Sequence, residues 1–243
     1  MAKARRAGSR RRRKASVGRW IFRLLAMLAL FGTVFAAWFW WDMRGWKPDE
    51  ARYPEQGAVI ASGASGTRFQ TLKALGGDFV YLELASVGGA PDPGFAARLK
   101  AAQASGLKVG VIYPFDPCRR ADPQSARFTR MVPRSADLLP PAVALRNPAD
   151  GCASPVSDAA VESELLTLVN QIEMHAGKSA VLKLSKTFQS RYNAARTFSR
   201  DLWLMRDRAR PDYAGRPWLL WSVNSQLVSA ASPDPIEWVV VQR

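Results

Sequence analysis

No charge occurs from residue 24 to residue 41, and Trp20 to Phe22 extend this apolar run past Arg23, whose long side chain can reach back to an interface. The pattern predicts one transmembrane helix over residues 20–41. Residues 42–56 are polar, with Pro48, Pro54 and scattered charges, and read as a short stalk. Beyond them, short apolar runs alternate with helical spacing. Residues 58–61, 79–84, 107–113, 142–145 and 180–184 read as strands apolar on both faces, as parallel strands are. Phe69, Leu72 and Leu75 share one helical face before Gly76, and Phe95, Leu99 and Ala102 another before Gly106. The clearest stripe is Val161, Leu165, Leu168, Val169 and Ile172, ending at Gly177. After a further helical stretch at 187–196, the runs 202–205, 218–223 and 236–241 follow with little helical spacing between them. Five strands with helices and then three without predict an irregular, TIM-like (β/α)5(β)3 barrel over residues 57–243.

The formal net charge of +15 suggests nucleic acid until its distribution is considered. Ten of the 35 basic residues lie within residues 1–23, with no acid among them, which leaves 25 against 20 acids for the rest. That is an ordinary surface, and no basic-aromatic module or phosphate-cradling glycine loop accompanies it, so nucleic acid is not an expected partner. Instead, Arg10 to Lys14 and Arg19 precede the apolar run, so residues 1–19 are expected to be a cytoplasmic tail and the barrel to lie across the membrane. Trp38, Trp40 and Trp41 suit the far interface. A cleaved signal peptide is the rival reading, but its apolar region should be shorter and end in small residues, where this one ends Trp-Phe-Trp-Trp.

Only Cys118 and Cys152 are available for sulfur chemistry, both beyond the span. In an exported compartment the pair reads as a disulfide, worth about 3 to 4 kcal/mol on chain-entropy grounds. His175 is the only histidine. Neither a metal site nor histidine-based nucleophilic catalysis is expected, and no cofactor is implied.

Several segments together carry a family resemblance. Gly57 through Ala74, Asp78-Phe79-Val80-Tyr81-Leu82 and Asp92-Pro93-Gly94-Phe95 resemble the opening of glycoside hydrolase family 25, the Chalaropsis-type lysozymes. Residues 104–110, Leu139-Pro140-Pro141-Ala142-Val143, Leu202-Trp203-Leu204 and Trp218-Leu219-Leu220-Trp221 continue the resemblance to the carboxyl end. It implies a muramidase fold acting on peptidoglycan at the carboxyl ends of the strands. It also implies a bacterial, membrane-anchored branch that carries such a cysteine pair, hence an inner-membrane protein with a periplasmic barrel.

The resemblance also locates what is missing. The family's fourth strand carries Asp-x-Glu, whose alternation sends both acids into the cleft. Here the register reads Ala144-Leu145-Arg146, and a guanidinium has no proton to give. The first strand's expected aspartate is Val59, the nearby histidine is Gly63, and the Tyr-His pair after Gly110 is Ile112-Tyr113. Only the last strand keeps an acid, Glu237. The expectation is therefore a catalytically impaired, glycan-binding pseudoenzyme, with Tyr81, Glu83, Tyr113, Arg146, Trp203, Trp221 and Glu237 as cleft or ligand candidates.

Each candidate has a plainer reading: the aromatics as core, Arg146 and Glu237 as internal ion-pair partners, His175 as a helix-terminus residue on the last carbonyls, and Asp92 as a turn or cap before the Phe95 helix. Two other functions compete. A muramidase using relocated carboxylates would need Glu83, Asp116 or Asp150 within about 5 to 10 Å of Glu237. A structural scaffold for a membrane complex would have its cleft filled by Arg146 and its neighbours. Oligomeric state is not legible.

Overall fold

The computed structural model describes residues 10–86 and 92–242. The first part of the basic tail, residues 1–9, lies outside them. The chain divides into two compact units between Gly45 and Trp46.

The first unit is one helix, α1 (Arg10–Arg44), of 35 residues. Its segment Gly18–Arg44 has a mean hydropathy of 1.9 and no buried residues, which makes it long and apolar enough to cross a membrane. Near its end the Arg44 guanidinium lies 3.7 Å from the Trp40 ring centroid.

The second unit is a closed barrel in simple sequence order: β1 (Gln56–Ile60), β2 (Phe79–Glu83), β3 (Lys108–Pro114), β4 (Ala142–Leu145), β5 (Val181–Leu184), β6 (Asp201–Met205), β7 (Leu220–Ser229) and β8 (Ser232–Val241). β1 through β7 run parallel, and β8 closes the barrel antiparallel to both β7 and β1. This is the expected mixed barrel. Helices α2 (Phe69–Ala74), α3 (Phe95–Ala104), α4 (Ala121–Met131) and α5 (Asp158–Ala176) follow the first four strands, and α6 (Lys186–Tyr192) and α7 (Ala194–Thr197) follow the fifth. The interval read as a stalk lies partly on this unit. Asn224 Nδ2 donates to the Trp46 carbonyl at 3.0 Å, Gln56 Nε2 to those of Pro48 and Tyr53, and the Tyr53 ring meets Trp221 edge-on at 5.9 Å.

Local chemistry explains the helix ends. Ser157 caps α5 by accepting from Ala160 N, Gly177 ends it with φ at +67°, and the predicted stripe from Val161 to Ile172 is buried. α4 has no such stripe. Its buried residues include Gln124 and Ser125, and Gln124 bonds the Asp116 N–H and the Asp116 and Arg119 carbonyls. The helix is therefore fixed by polar bonds to the β3–α4 loop, which hydrophobic periodicity does not report. β7 and β8, each ten residues, outrun their apolar cores at 218–223 and 236–241. Their Ser, Asn, Gln and Pro residues form a hairpin extension that is partly solvated.

Two aromatic rings dictate glycine in the wall. A Cβ on Gly110 would lie 2.3 Å from the Tyr81 ring, and one on Gly57 would lie 2.4 Å from the Phe79 ring. The rings therefore occupy space that only glycine leaves open. Cys118 and Cys152 form the expected disulfide, joining the loops after β3 and β4 with Cα atoms 5.3 Å apart.

Candidate functional site

Inside the barrel the side chains alternate inward along each strand. Val59, Phe79, Tyr81, Ile112, Ala142, Ala144, Val181, Trp203, Leu220 and Val239 form one interior cluster. Ala142 and Ala144 are small beside large rings, and Tyr81 and Trp203 meet edge-on at 5.0 Å. Ala144 is thus an inward-facing wall residue, as a carboxylate at that register position would be, but the interior around it is packed.

Above this floor lies a polar layer. Ala144 pairs in register with Lys183 on β5, and Val59 with Glu237 on β8. Lys183 is buried, with its side chain 1% exposed, and its Nζ donates to Glu237 Oε2 at 2.7 Å while lying 4.6 Å from the Trp203 ring centroid. Glu237 Oε1 accepts from the Ser222 hydroxyl, whose oxygen in turn accepts from Trp203 Nε1 at 2.7 Å. Both carboxylate oxygens of Glu237 are therefore acceptors in a chain of donors, in which each bond polarises the next. A second ion pair spans the rim, from Arg146 after β4 to Glu83 at the end of β2. Ser185 donates to the Arg146 carbonyl and fixes its backbone.

The expected pairing of Arg146 with an internal acid is found, and the partner is Glu83. Glu237 has a different cation, Lys183, which the sequence reading missed together with Ser222. A signal for Lys183 existed: it stands alone in the apolar strand Val181–Leu184, and alternation puts it on the same face as Val181. A lysine there requires an internal partner.

Of the four aromatics expected as lining groups, Tyr81, Trp203 and Trp221 are packed into the protein, and Tyr113 borders a small cleft while itself only 3% exposed. Trp203 is fully buried and Tyr81 nearly so, with the Tyr81 hydroxyl donating to the Pro140 carbonyl at 3.1 Å. Burial pushes its phenol pKa well up. Tyr113 and Trp221 face outward from the barrel wall: Tyr113 packs on Phe128 of α4, and Trp221 on Trp218 and Tyr53 while its Nε1 donates to the Arg206 carbonyl. Their strand neighbours Ile112, Leu220 and Ser222 point inward instead. All four residues are at most 4% exposed.

The remaining acids are committed elsewhere. Asp116 accepts from Cys118 N at 3.0 Å and pairs with Arg119, and Asp150 is exposed in the 3-10 turn Ala149–Gly151. Asp92 accepts from Gly94 N and Gly63 N and pairs with Arg98, so it forms the turn before α3 and ties the β1–α2 loop to it. His175 does not cap its own helix. It reaches the Val132 carbonyl at 2.8 Å and meets the Phe128 ring edge-on, joining α5 to the end of α4. No cluster of three metal-ligating side chains occurs among the described residues.

Residues 60–229 match the family model described as glycosyl hydrolases family 25. A family 25 glycosyl hydrolase from Bacillus anthracis has a TM-score of 0.73 at 20% identity, covering 82% of this chain and 93% of its own. A bacterial lysozyme from Streptomyces coelicolor gives 0.68 at 14%, covering 78% and 92%. The spore cortex lytic enzyme SleM of Clostridium perfringens gives 0.65 at 16%, covering 81% and 69%. No curated protein matches the sequence. At these identities the structures support the fold, and the family model, spanning more than half the chain, supports membership. The strand order, the inward register of Ala144 and Glu237 and the matched span agree, and the chain belongs to glycosyl hydrolase family 25.

Proposed function

We propose that this chain is a membrane-tethered family 25 barrel that engages peptidoglycan without cleaving its glycan. The observation that carries this reading is that two ion pairs occupy the barrel mouth: Lys183 with Glu237, and Arg146 with Glu83. Retaining hydrolysis needs one carboxyl to protonate the leaving oxygen and another to attack or steady the sugar. Here the fourth-strand positions are Ala144 and Arg146, and Glu237 accepts hydrogen bonds on both oxygens. A general acid contributes about 10² to 10⁴ in rate, and removing several members of one acting unit leaves little beyond binding. Glu83, Asp116 and Asp150, the acids on which an active muramidase would have to draw, are paired or exposed outside that network.

The topology belongs to the same proposal. The helix Gly18–Arg44 acts as an uncleaved single-pass anchor in a bacterial inner membrane, with the amino terminus cytoplasmic and the barrel periplasmic, where a disulfide persists. A second reading, a structural scaffold in a membrane complex, is favoured by one observation: Tyr81 and Trp203 fill the interior and offer no sugar platform. Co-sedimentation of the unit from Trp46 onward with insoluble peptidoglycan separates the two. The proposal expects saturable retention competed by soluble glycan fragments, and the scaffold reading expects none. Alkaline phosphatase fused after Arg243 tests the topology and should be active.

A further inference from the structure

The mouth of the barrel contains a cation whose hydrogen-bonding capacity is only partly used. Among the described residues, the Arg146 guanidinium bonds through Nη2 to Glu83, and no partner engages Nε or Nη1. Its side chain is 34% exposed, whereas the Glu83 carboxylate beneath it is 7% exposed. A planar fork is thus anchored on one edge by a buried acid and by its own carbonyl bond to Ser185, with the rest of the group presented to solvent. Anchoring lowers the ordering cost of binding, and Nη1 together with the second N–H of Nη2 can meet a carboxylate beside the Glu83 bond.

The surroundings favour negative charge. β3 lies between the two partners, and its Pro114, paired in register with Ala144, lines a small cleft of about 20 Å³ together with Tyr113, Arg119, Arg127 and Asp116. Burial, above all, raises the pKa of the Tyr113 hydroxyl there, with Asp116 adding to the effect and Arg127 and Arg119 opposing it. This cleft is lined by two cations, Arg119 and Arg127, and by one acid, Asp116, which pairs with Arg119.

We infer that Arg146, held by Glu83, is a ligand-recognition residue that takes a carboxylate of an acidic glycan at the barrel mouth. The inference rests on the glycan-binding reading and names the chemistry that replaces catalysis at the same position. In cell-wall glycan this chemistry has two sources. A muramyl lactyl carboxylate is free only where the stem peptide has been removed, and otherwise the carboxylates belong to the stem.

The test is calorimetric titration of the full chain in detergent micelles with three soluble probes: chitotetraose, which has no carboxylate; amidase-stripped glycan chains, which expose the lactyl carboxylate; and stem-bearing muropeptide chains. At least one acidic probe should bind about tenfold or more tightly than chitotetraose, and which one identifies the source. Arg146→Lys keeps a cation beside Glu83 and loses the fork; it should lose most of that preference. Arg146→Gln should lose all of it. Equal affinity for acidic and neutral probes, or an Arg146→Lys protein with the full preference, overturns the inference and leaves glycan binding standing. Failure of all three probes to bind overturns both.

Discussion

Removing either partner of the Lys183–Glu237 pair should damage the fold unequally, and removing both should nearly restore it. Lys183 is 1% exposed at its side chain and Glu237 is 18% exposed, with Ser222 as a second partner. Glu237→Leu leaves an ammonium with no acceptor and only the face of Trp203, which should cost about 3 to 5 kcal/mol, the range for stranding one member of a buried pair. Lys183→Met strands a carboxylate that keeps the Ser222 hydroxyl and some water, so about 2 to 3 kcal/mol is expected. The double variant substitutes side chains of similar volume and should cost about 1 kcal/mol, mainly the acceptor lost to Ser222. The implied coupling, about 4 kcal/mol or more, is far beyond the roughly 0.5 kcal/mol within which independent sites add. Urea unfolding of the four proteins of the cycle measures it. Additive losses would refute the claim that these groups form one neutralised unit, as would Lys183→Met being the costlier single change.

Three further outcomes follow from the same structure. Replacing Cys118 and Cys152 together by alanine should cost about 3 to 4 kcal/mol by loop-closure arithmetic, read as a lower urea midpoint, and no change would argue against the bridge. Burial raises the Tyr213 pKa to about 12 and that of Tyr81 further, so the folded state holds these protons more tightly than the unfolded chain. The stability they confer is complete below about pH 10 and falls as pH rises beyond it, so base unfolding monitored by tyrosinate absorbance should begin there. Tyr81→Phe should flatten that alkaline slope, and an unchanged slope would show the phenol to be solvated. Gly110→Ala should cost at least 2 kcal/mol, because its Cβ would lie 2.3 Å from the Tyr81 ring inside a closed wall, and Tyr81→Leu should recover part of the loss.

The strands were legible because each is a short apolar run between turn residues; Ala142–Leu145 falls on the predicted residues. What double-sided burial conceals is parity. In a strand apolar on both faces, nothing in the pattern says whether Tyr113 or Ile112 points into the barrel, and a shift of one residue reverses the answer. Hence Tyr81 and Trp203 are interior while Tyr113 and Trp221 face the outer layer. α4 has no apolar stripe because Gln124 and Ser125 lie on its buried face, and the outer halves of β7 and β8 are not apolar because a partly solvated hairpin is polar. Lys183 is different: its place in the apolar strand Val181–Leu184 marks it as buried, but the acid that receives it, Glu237, is 54 residues away in sequence.

The most direct measurement is reducing-end release from purified peptidoglycan incubated with the unit from Trp46 onward, across acid to neutral pH. No release above the buffer blank is expected at any pH, since Glu83 is paired with Arg146 and both oxygens of Glu237 already accept from Lys183 and Ser222. Release that Glu237→Gln abolishes would contradict it.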